Sequence, residues 1–281
     1  MRIGISERRS NGVNRAVIQN APSRFVDTKD EPLHFKVIGD RTHDPTIVFV
    51  HGGGGAMDIW EKQVTAAAAY ARCVVIDLPG HGKSGCPKNA SYSIRYFAEA
   101  IESVLATENI SSAVFVGHSL GATVLTDLYR LRSNMFNCLV ALDGFLTTPP
   151  MIDKLALVSR LIRSPLYPIL WPMSVRSITS GIGNAEARRR ASELMRQTPR
   201  FVIQRSFAGM VNYLRSPLTG LSSSVAVAYS DRSIWSEAYR QKVSVLGTNT
   251  EWLELPGAGH FLMLDRPDEV NALIARALSA A

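Results

Sequence analysis

Short apolar runs alternate along this chain with segments in which apolar side chains recur every three to four positions. The runs predict strands and the periodic segments predict helices, because these spacings collect apolar side chains on the buried faces of the two elements. The predicted strands are residues 34–39, 46–52, 73–80, 113–118, 138–144, 225–231 and 250–257. The predicted helices are residues 56–71, 93–108, 122–133 and 234–246, and a last helix that starts at Pro267. Continuous apolar strands alternating with helices indicate an α/β fold, with a mostly parallel sheet covered by helices on both faces.

The alternation stops between residues 145 and 224, where prolines separate short helical segments. This stretch carries eleven basic and three acidic residues, a formal charge of +8, whereas the rest of the chain carries −1. A basic stretch that interrupts a regular alternation indicates an inserted module. We therefore predict a core of residues 23–144 and 225–281, a helical cap of residues 145–224 and a flexible N-terminal tail of residues 1–22.

The stretch VFVGHSLGA places Ser119 between two glycines, at the boundary of a predicted strand and a predicted helix. Small residues two positions before and after the serine, here Gly117 and Gly121, let a strand and a helix pack closely around a sharp turn. Such a turn exposes the serine oxygen at the positive end of the helix. Ser119 is therefore the candidate nucleophile, and the neighbouring His118 is expected to point away from it.

A serine hydroxyl needs a base, and His260 is the candidate among the six histidines. It lies on a glycine-rich loop after the last predicted strand, where its imidazole can reach back over the carboxyl edge of the sheet. An acid must then fix the imidazole tautomer. Asp231 and Asp143 each end a predicted strand. Asp231 is the favoured acid and Asp143 the alternative, since a buried Asp143 could instead accept hydrogen bonds from loop amides.

The negative charge that develops on a carbonyl oxygen under attack needs two fixed N–H donors. The amide of Leu120, directly after the candidate nucleophile, supplies one. The second is expected from Gly53 in the stretch HGGGGAMDIW, because glycines let the backbone approach a substrate closely. His51, which precedes the glycines, is expected to shape this loop.

Spacing excludes two nucleotide-binding motifs. The glycine run is not a dinucleotide fingerprint, because the third glycine position falls on Met57. Gly82-Lys83-Ser84 resembles the end of a phosphate loop, but Asp77 occupies the position where that motif has its first glycine. The stretch DLPGHGKSG is therefore interpreted as a turn at a strand end.

Taken together, these motifs make the chain resemble the α/β-hydrolase family over residues 34–144 and 225–281. The motifs are HGGGG followed by Trp60, DLPGHGKSG, GHSLG, AYSD and PGAGHFLMLDRPDEV. The resemblance implies an eight-stranded, mostly parallel sheet with a cap over the site. The site residues that it implies are Ser119 as nucleophile, Asp231 as acid, His260 as base, and Gly53 and Leu120 as oxyanion donors. One departure is Ala228, where the family often has glycine before the acid, and it leaves the choice of Asp231 open.

These residues predict a serine hydrolase that cleaves a carboxylic ester or thioester through an acyl-enzyme, with no cofactor and no metal. Apolar side chains of the cap favour an acyl chain or a ring in the substrate. A second hypothesis is hydrolysis of a C–C bond in a dioxo-acid ring-cleavage product, whose negative charge suits a basic cap. A third is a ligand-binding receptor or scaffold on the same fold. Ser119 itself excludes an aspartate nucleophile.

Composition limits the partners and the location. No apolar run reaches the roughly 18 residues of a membrane span, so no transmembrane segment is expected. Three cysteines without metal-type spacing indicate a reducing compartment, and we predict a cytoplasmic protein. The cap arginines are interpreted as solvated helix faces, or else as attracting an anionic substrate, an acyl-carrier partner or a membrane surface. No pattern of basic and aromatic residues indicates nucleic-acid binding.

Overall fold

The computed structural model describes residues 17–39, 45–230 and 235–280. Eight strands form one sheet in the order β1-β2-β4-β3-β5-β6-β7-β8. The strands are β1 (Arg24–Val26), β2 (Leu33–Ile38), β3 (Thr46–Val50), β4 (Arg72–Ile76), β5 (Ala113–His118), β6 (Phe136–Leu142), β7 (Ser224–Ser230) and β8 (Thr250–Leu255). β1 and β2 are antiparallel to their neighbours, and the pairs from β4 to β8 are parallel. The predicted mostly parallel, eight-stranded α/β fold is confirmed.

Eleven α-helices accompany the sheet within the described residues. They are α1 (Val17–Asn20), α2 (Glu61–Ala67), α3 (Ile94–Thr107), α4 (Leu120–Arg132), α5 (Ile152–Ile162), α6 (Tyr167–Thr179), α7 (Ala185–Gln197), α8 (Arg200–Leu214), α9 (Glu237–Ser244), α10 (Leu262–Asp265) and α11 (Pro267–Ser279). Short 3₁₀ helices at Met57–Trp60 and Ser133–Met135 complete the described elements.

The apolar runs in the sequence are strands that are buried on both faces. In β3, Ile47 and Phe49 point into one core cluster and Val48 and Val50 into the other, and all four are fully buried. One cluster lies under α3, α4 and α9, and the other lies under α2 and α11. Because side chains alternate along a strand, a strand covered on both sides must be apolar at every position.

Helices α5 to α8 are inserted between β6 and β7, within the segment predicted as the cap. α5 packs on α8, and α6 packs on α7. α8 also contacts α3 and α4, so the pair α5–α8 is anchored on the core. The guanidinium of Arg205 on α8 donates hydrogen bonds to the carbonyl oxygens of Lys88 and Ala90, which adds a polar attachment to the core.

The chain before β1 differs from the prediction at its described end. Residues 1–16 of the predicted flexible tail lie outside the described residues, but Val17–Asn20 form the short helix α1. Ile18 is fully buried, and the Lys36 ammonium donates to its carbonyl oxygen at 2.7 Å. The carboxylate of Glu61 accepts hydrogen bonds from the first amides of α1. This segment is therefore fixed by one apolar side chain and two buried polar contacts, too little to stand out in the sequence.

Candidate active site

Ser119 forms the turn between β5 and α4, with φ 50° and ψ −117°. Non-glycine residues rarely adopt a positive φ, and such backbone strain persists only where packing enforces it. The packing is visible at the flanking glycines. A Cβ on Gly117 would lie 2.7 Å from the backbone nitrogen of Ala122, and one on Gly121 would lie 2.4 Å from the carbonyl oxygen of Val50. The glycine spacing in the sequence is therefore a steric requirement of this turn.

We expect Gly121→Ala to lower the free energy of unfolding by at least about 2 kcal/mol, because its Cβ collides with backbone rather than with a movable side chain. Thermal or urea unfolding of the purified variant measures the effect. Gly220→Ala is the matched control, since a Cβ there meets only one atom, at 3.9 Å. Equal stability of the two variants would contradict the steric explanation.

His260 lies on the loop between β8 and α10, and its Nδ1 donates to Oδ2 of Asp143 at 2.6 Å. Asp143 directly follows β6 and adopts φ 48°. Its side chain is fully buried and also accepts hydrogen bonds from three further donor groups. Ser230 donates its backbone N–H at 2.9 Å and its hydroxyl at 2.8 Å, and the indole N–H of Trp235 donates at 2.8 Å. Asp143 is therefore a fully hydrogen-bonded carboxylate aimed at His260.

The environment of Asp143 keeps it ionised. Burial by itself raises the pKa of this carboxyl group, but the hydrogen bond and charge of His260 and the hydrogen bonds from Ser230 outweigh it. The pKa of Asp143 is consequently lowered from its ordinary value. An ionised acceptor on Nδ1 fixes the imidazole tautomer, so Nε2 of His260 is left as the proton acceptor.

Asp231, the acid favoured by the sequence, lies outside the described residues. The carboxylate that the structure places on His260 belongs to the alternative, Asp143. Trp235 was not predicted as part of this arrangement. Its signal in the sequence is weak, because a tryptophan five residues after a strand usually serves packing, and only its buried N–H needs a partner.

The glycine loop after β3 packs directly against the turn at Ser119. A Cβ on Gly52 would lie 3.0 Å from Cβ of Ser119. Gly53 and Leu120, the predicted oxyanion donors, line the same cavity as Ser119 and His260. The structure thus brings together five of the six residues that the sequence singled out, counting the alternative acid Asp143, and the sixth is the undescribed Asp231.

That cavity has a volume of about 400 Å³ and lies between the carboxyl edge of the sheet and the inserted helices. Its walls are mostly apolar. The side chains that the inserted segment contributes include Met151, Leu155, Ile162, Trp171, Ile203 and Phe207. Among the described lining residues there is no lysine or arginine, although the inserted segment is strongly basic. The arrangement can hold an uncharged, largely apolar molecule against a serine, a histidine and a buried carboxylate.

A sequence model described as the alpha/beta hydrolase family matches residues 47–273. The chain belongs to this family.

The sequence identity to individual relatives is low, or covers only part of the chain. A protein of Serratia proteamaculans named "Putative carbamate hydrolase RutD" is 30% identical over 116 residues, which are 41% of this chain and 43% of that protein. The chain therefore matches less than half the length of this relative. An esterase from Exiguobacterium antarcticum has the same fold, with a TM-score of 0.79, 13% identity, and coverage of 92% of this chain and 100% of that chain. Epoxide Hydrolase A from Mycobacterium thermoresistibile gives a TM-score of 0.77, 19% identity, and coverage of 92% and 98%.

Two further histidines hold the glycine loop of this hydrolase in place. His51 donates Nδ1–H to the carbonyl of Gly52 at 2.7 Å and accepts the Leu78 amide on Nε2 at 3.0 Å. His81 accepts the Gly54 amide on Nε2 at 3.0 Å. Burial lowers the pKa of both, that of His81 to about 3, so both remain neutral and can accept these amides. The predicted role of His51 in shaping the loop agrees with these contacts.

His118 contacts His260, which the sequence does not predict. Its Nε2–H donates to the backbone carbonyl of His260 at 2.9 Å, and the two rings lie 4.7 Å apart. Burial, followed by the nearby His260, lowers the pKa of His118 to about 3. A neutral His118 therefore supports the loop that carries His260 without adding a competing charge.

A second Ser–His–Asp series occurs outside the cavity of this hydrolase. Ser23 Oγ lies 2.9 Å from Nε2 of His34, whose Nδ1 lies 2.7 Å from Oδ2 of Asp77. The Asp77 carboxylate also accepts the amides of Met57 and Lys83. It therefore anchors the loops at the strand ends, including the turn in DLPGHGKSG that resembled a phosphate loop. Ser23 is a useful matched control for Ser119.

Proposed function

We propose that this hydrolase cleaves an uncharged carboxylic ester or thioester with an apolar acyl or aromatic part, through an acyl-enzyme on Ser119. The observation that carries the proposal is the 2.6 Å hydrogen bond from His260 Nδ1 to the buried, ionised Asp143, beside an apolar cavity that also exposes Ser119. We assign the acid to Asp143 rather than to Asp231. Nδ1 of His260 carries a single proton, and the hydrogen bond to Asp143 already uses it.

In the proposed reaction, Nε2 of His260 takes the proton of Ser119 as its Oγ attacks the carbonyl carbon. The oxyanion of the tetrahedral intermediate accepts hydrogen bonds from the amides of Leu120 and Gly53. His260 then gives the proton to the departing alcohol or thiol, leaving the acyl group on Ser119. A water molecule, deprotonated by His260, attacks the acyl-enzyme, and His260 returns this proton to Oγ of Ser119 as the acid is released.

The cavity favours uncharged substrates over anionic ones. A substrate carboxylate in this space would be buried without a cationic partner among the described lining residues, which is costly. This argues against the dioxo-acid hypothesis. The described cap arginines with ionic partners are engaged elsewhere: Arg189 with Glu193, Arg190 with Asp58, and Arg215 with Asp153.

A substrate panel tests the proposal. It contains p-nitrophenyl esters from acetate to hexanoate, a p-nitrophenyl carbamate, a monoester of a dicarboxylic acid and a dioxo-acid. We expect kcat/KM to rise with acyl length, by up to about fourfold for each added CH₂ that is buried. We expect a carboxylate at the chain end to lower kcat/KM at least about tenfold. Faster cleavage of the dioxo-acid than of every ester would overturn the proposal in favour of C–C hydrolysis.

A further inference from the structure

The outer side of α5 and α6 exposes a cluster of large apolar side chains. Within the described residues, ten large hydrophobic side chains are exposed, and seven of them lie between residues 157 and 173. Of these seven, the most exposed are Ile169 and Met173, each at 68%, and Leu157, at 58%. A concentration of exposed apolar side chains in one segment of a protein usually marks an interaction site.

The two helices are apolar on both sides. Their inner sides carry Leu155, Ile162 and Trp171, which line the active-site cavity. Their outer sides carry the exposed cluster, which we call the hairpin patch (Leu157, Val158, Leu161, Leu166, Ile169, Leu170 and Met173). Val158 belongs to both, because it is 41% exposed and also lines the cavity. The hairpin patch therefore adjoins the substrate cavity.

Basic residues surround the hairpin patch. Lys154, Arg160, Arg163 and Arg176 are exposed on the same two helices or the turn that joins them. In the part of the chain that the structure describes, none of the four forms an ion pair. The one acidic side chain on these helices, Asp153, is paired with Arg215, which directly follows α8. The patch is thus an apolar surface with an uncompensated positive rim.

We propose that the hairpin patch docks on the surface of an anionic lipid bilayer. Apolar side chains on the outer side of the hairpin would enter the boundary between headgroups and acyl chains, and the four basic side chains would contact lipid phosphates. Long basic side chains suit this arrangement, because their stems pack on apolar surface while their charges stay in water. Within the described residues no helix is both long and apolar enough to cross a bilayer, so the contact is peripheral.

The distribution of charge around the hairpin patch favours a membrane over two other binding partners, a second copy of this chain and an acidic protein. A second copy of this chain, docked patch to patch around a two-fold axis, would bring like-charged rims together, which is unfavourable. An acidic protein would match the positive rim but would leave the wide apolar centre poorly matched. An anionic bilayer complements both the rim and the centre.

Vesicle co-sedimentation of the full-length protein tests the proposal. We expect binding to vesicles of phosphatidylcholine with about 30% phosphatidylglycerol to be at least tenfold tighter than to pure phosphatidylcholine, and to weaken as salt is raised. The double variant Ile169→Glu, Met173→Glu should bind the anionic vesicles at least tenfold more weakly. Arg160→Gln should weaken binding about fivefold, the effect of one basic residue near a charged surface.

The control is Val245→Glu with Lys242→Gln, which alters an equally exposed apolar residue and a basic residue on α9. It should bind anionic vesicles like wild type.

Neither Ile169 nor Met173 lines the cavity, so cleavage of a soluble ester by the double variant should match wild type and show that it folds. Vesicle binding needs no turnover, so Ser119→Ala should bind normally even if the proposed ester hydrolysis is wrong. No binding of wild type to anionic vesicles, or a concentration-dependent dimer that the double variant abolishes, would overturn the proposal.

Discussion

Ser119→Ala is expected to lower kcat for ester hydrolysis by about 10⁴-fold or more. The substitution removes the hydroxyl on the strained turn, which lines the same cavity as Leu120 and the Asp143–His260 pair. Steady-state rates with the best p-nitrophenyl ester measure the loss. A burst of p-nitrophenol equal to the enzyme concentration should appear in wild type if deacylation is slow, and should be absent in the variant.

Ser23→Ala provides the control for this experiment, because Ser23 also hydrogen-bonds to a histidine that contacts a buried aspartate. It should keep kcat within about twofold of wild type. A fluorophosphonate probe should label wild type and Ser23→Ala but not Ser119→Ala. Labelling that persists in Ser119→Ala and disappears in Ser23→Ala would show that Ser23, and not Ser119, is the nucleophile.

Asp143→Asn is expected to lower kcat by about 10⁴-fold with little change in KM. The asparagine preserves the shape of the side chain, but its amide N–H can face Nδ1 of His260. The imidazole would then carry its proton on Nε2 and could not accept one from Ser119. The pH dependence of kcat/KM should show the loss at every pH at which wild type is active.

Asp231→Asn is the matched comparison, since Asp231 ends the neighbouring predicted strand. It should change kcat less than about threefold if Asp143 is the acid. A large loss in Asp231→Asn with an active Asp143→Asn would reverse the assignment that we propose.

The stability of Asp143→Asn separates folding from catalysis. The folded-state pKa of Asp143 is lowered, so its ionised form stabilises the fold above the unfolded pKa of about 3.9. This contribution is lost as the pH falls through the folded-state pKa. Wild type should therefore be more stable than the variant near pH 7, and urea unfolding should show the difference narrowing below pH 4. Loss of activity near pH 7 under conditions where the variant remains folded would be a catalytic effect.

The fold was predictable because its determinants are local and repeated. The strands β3 to β6 are apolar at nearly every position, since both of their faces are covered, and this distinguishes them from the helices between them. The segment Val17–Asn20 was assigned to a flexible tail because one buried isoleucine leaves no periodic signal. What fixes it is the pairing of its amides and carbonyls with Glu61 and Lys36, which are distant in sequence.

The candidate site was predictable to the extent that it depends on backbone geometry. Ser119, Leu120 and Gly53 follow from the glycines that the turn and the loop require, and the structure places all three around one cavity. The partner of His260 could not be chosen from the sequence, because Asp143 and Asp231 each end a predicted strand, and the carboxyl ends of parallel strands lie at the same edge of a sheet. Their roles stay predictions until the variants are measured.

The inserted helices leave the sheet just after Asp143 and return through β7, whose last residue, Ser230, donates two hydrogen bonds to the same carboxylate. The insertion thus starts at the carboxyl end of β6 and rejoins the sheet at the amino end of the parallel strand β7, and the strand pairing together with one buried side chain fixes both strands. The entropic cost of closing a loop grows only slowly with its length. An insertion of another length or sequence can therefore join the same two points without moving the chemical centre. In evolutionary terms, the substrate preference, which depends on the insertion, can therefore diverge by recombination or drift. The residues that carry the chemistry are retained on the core.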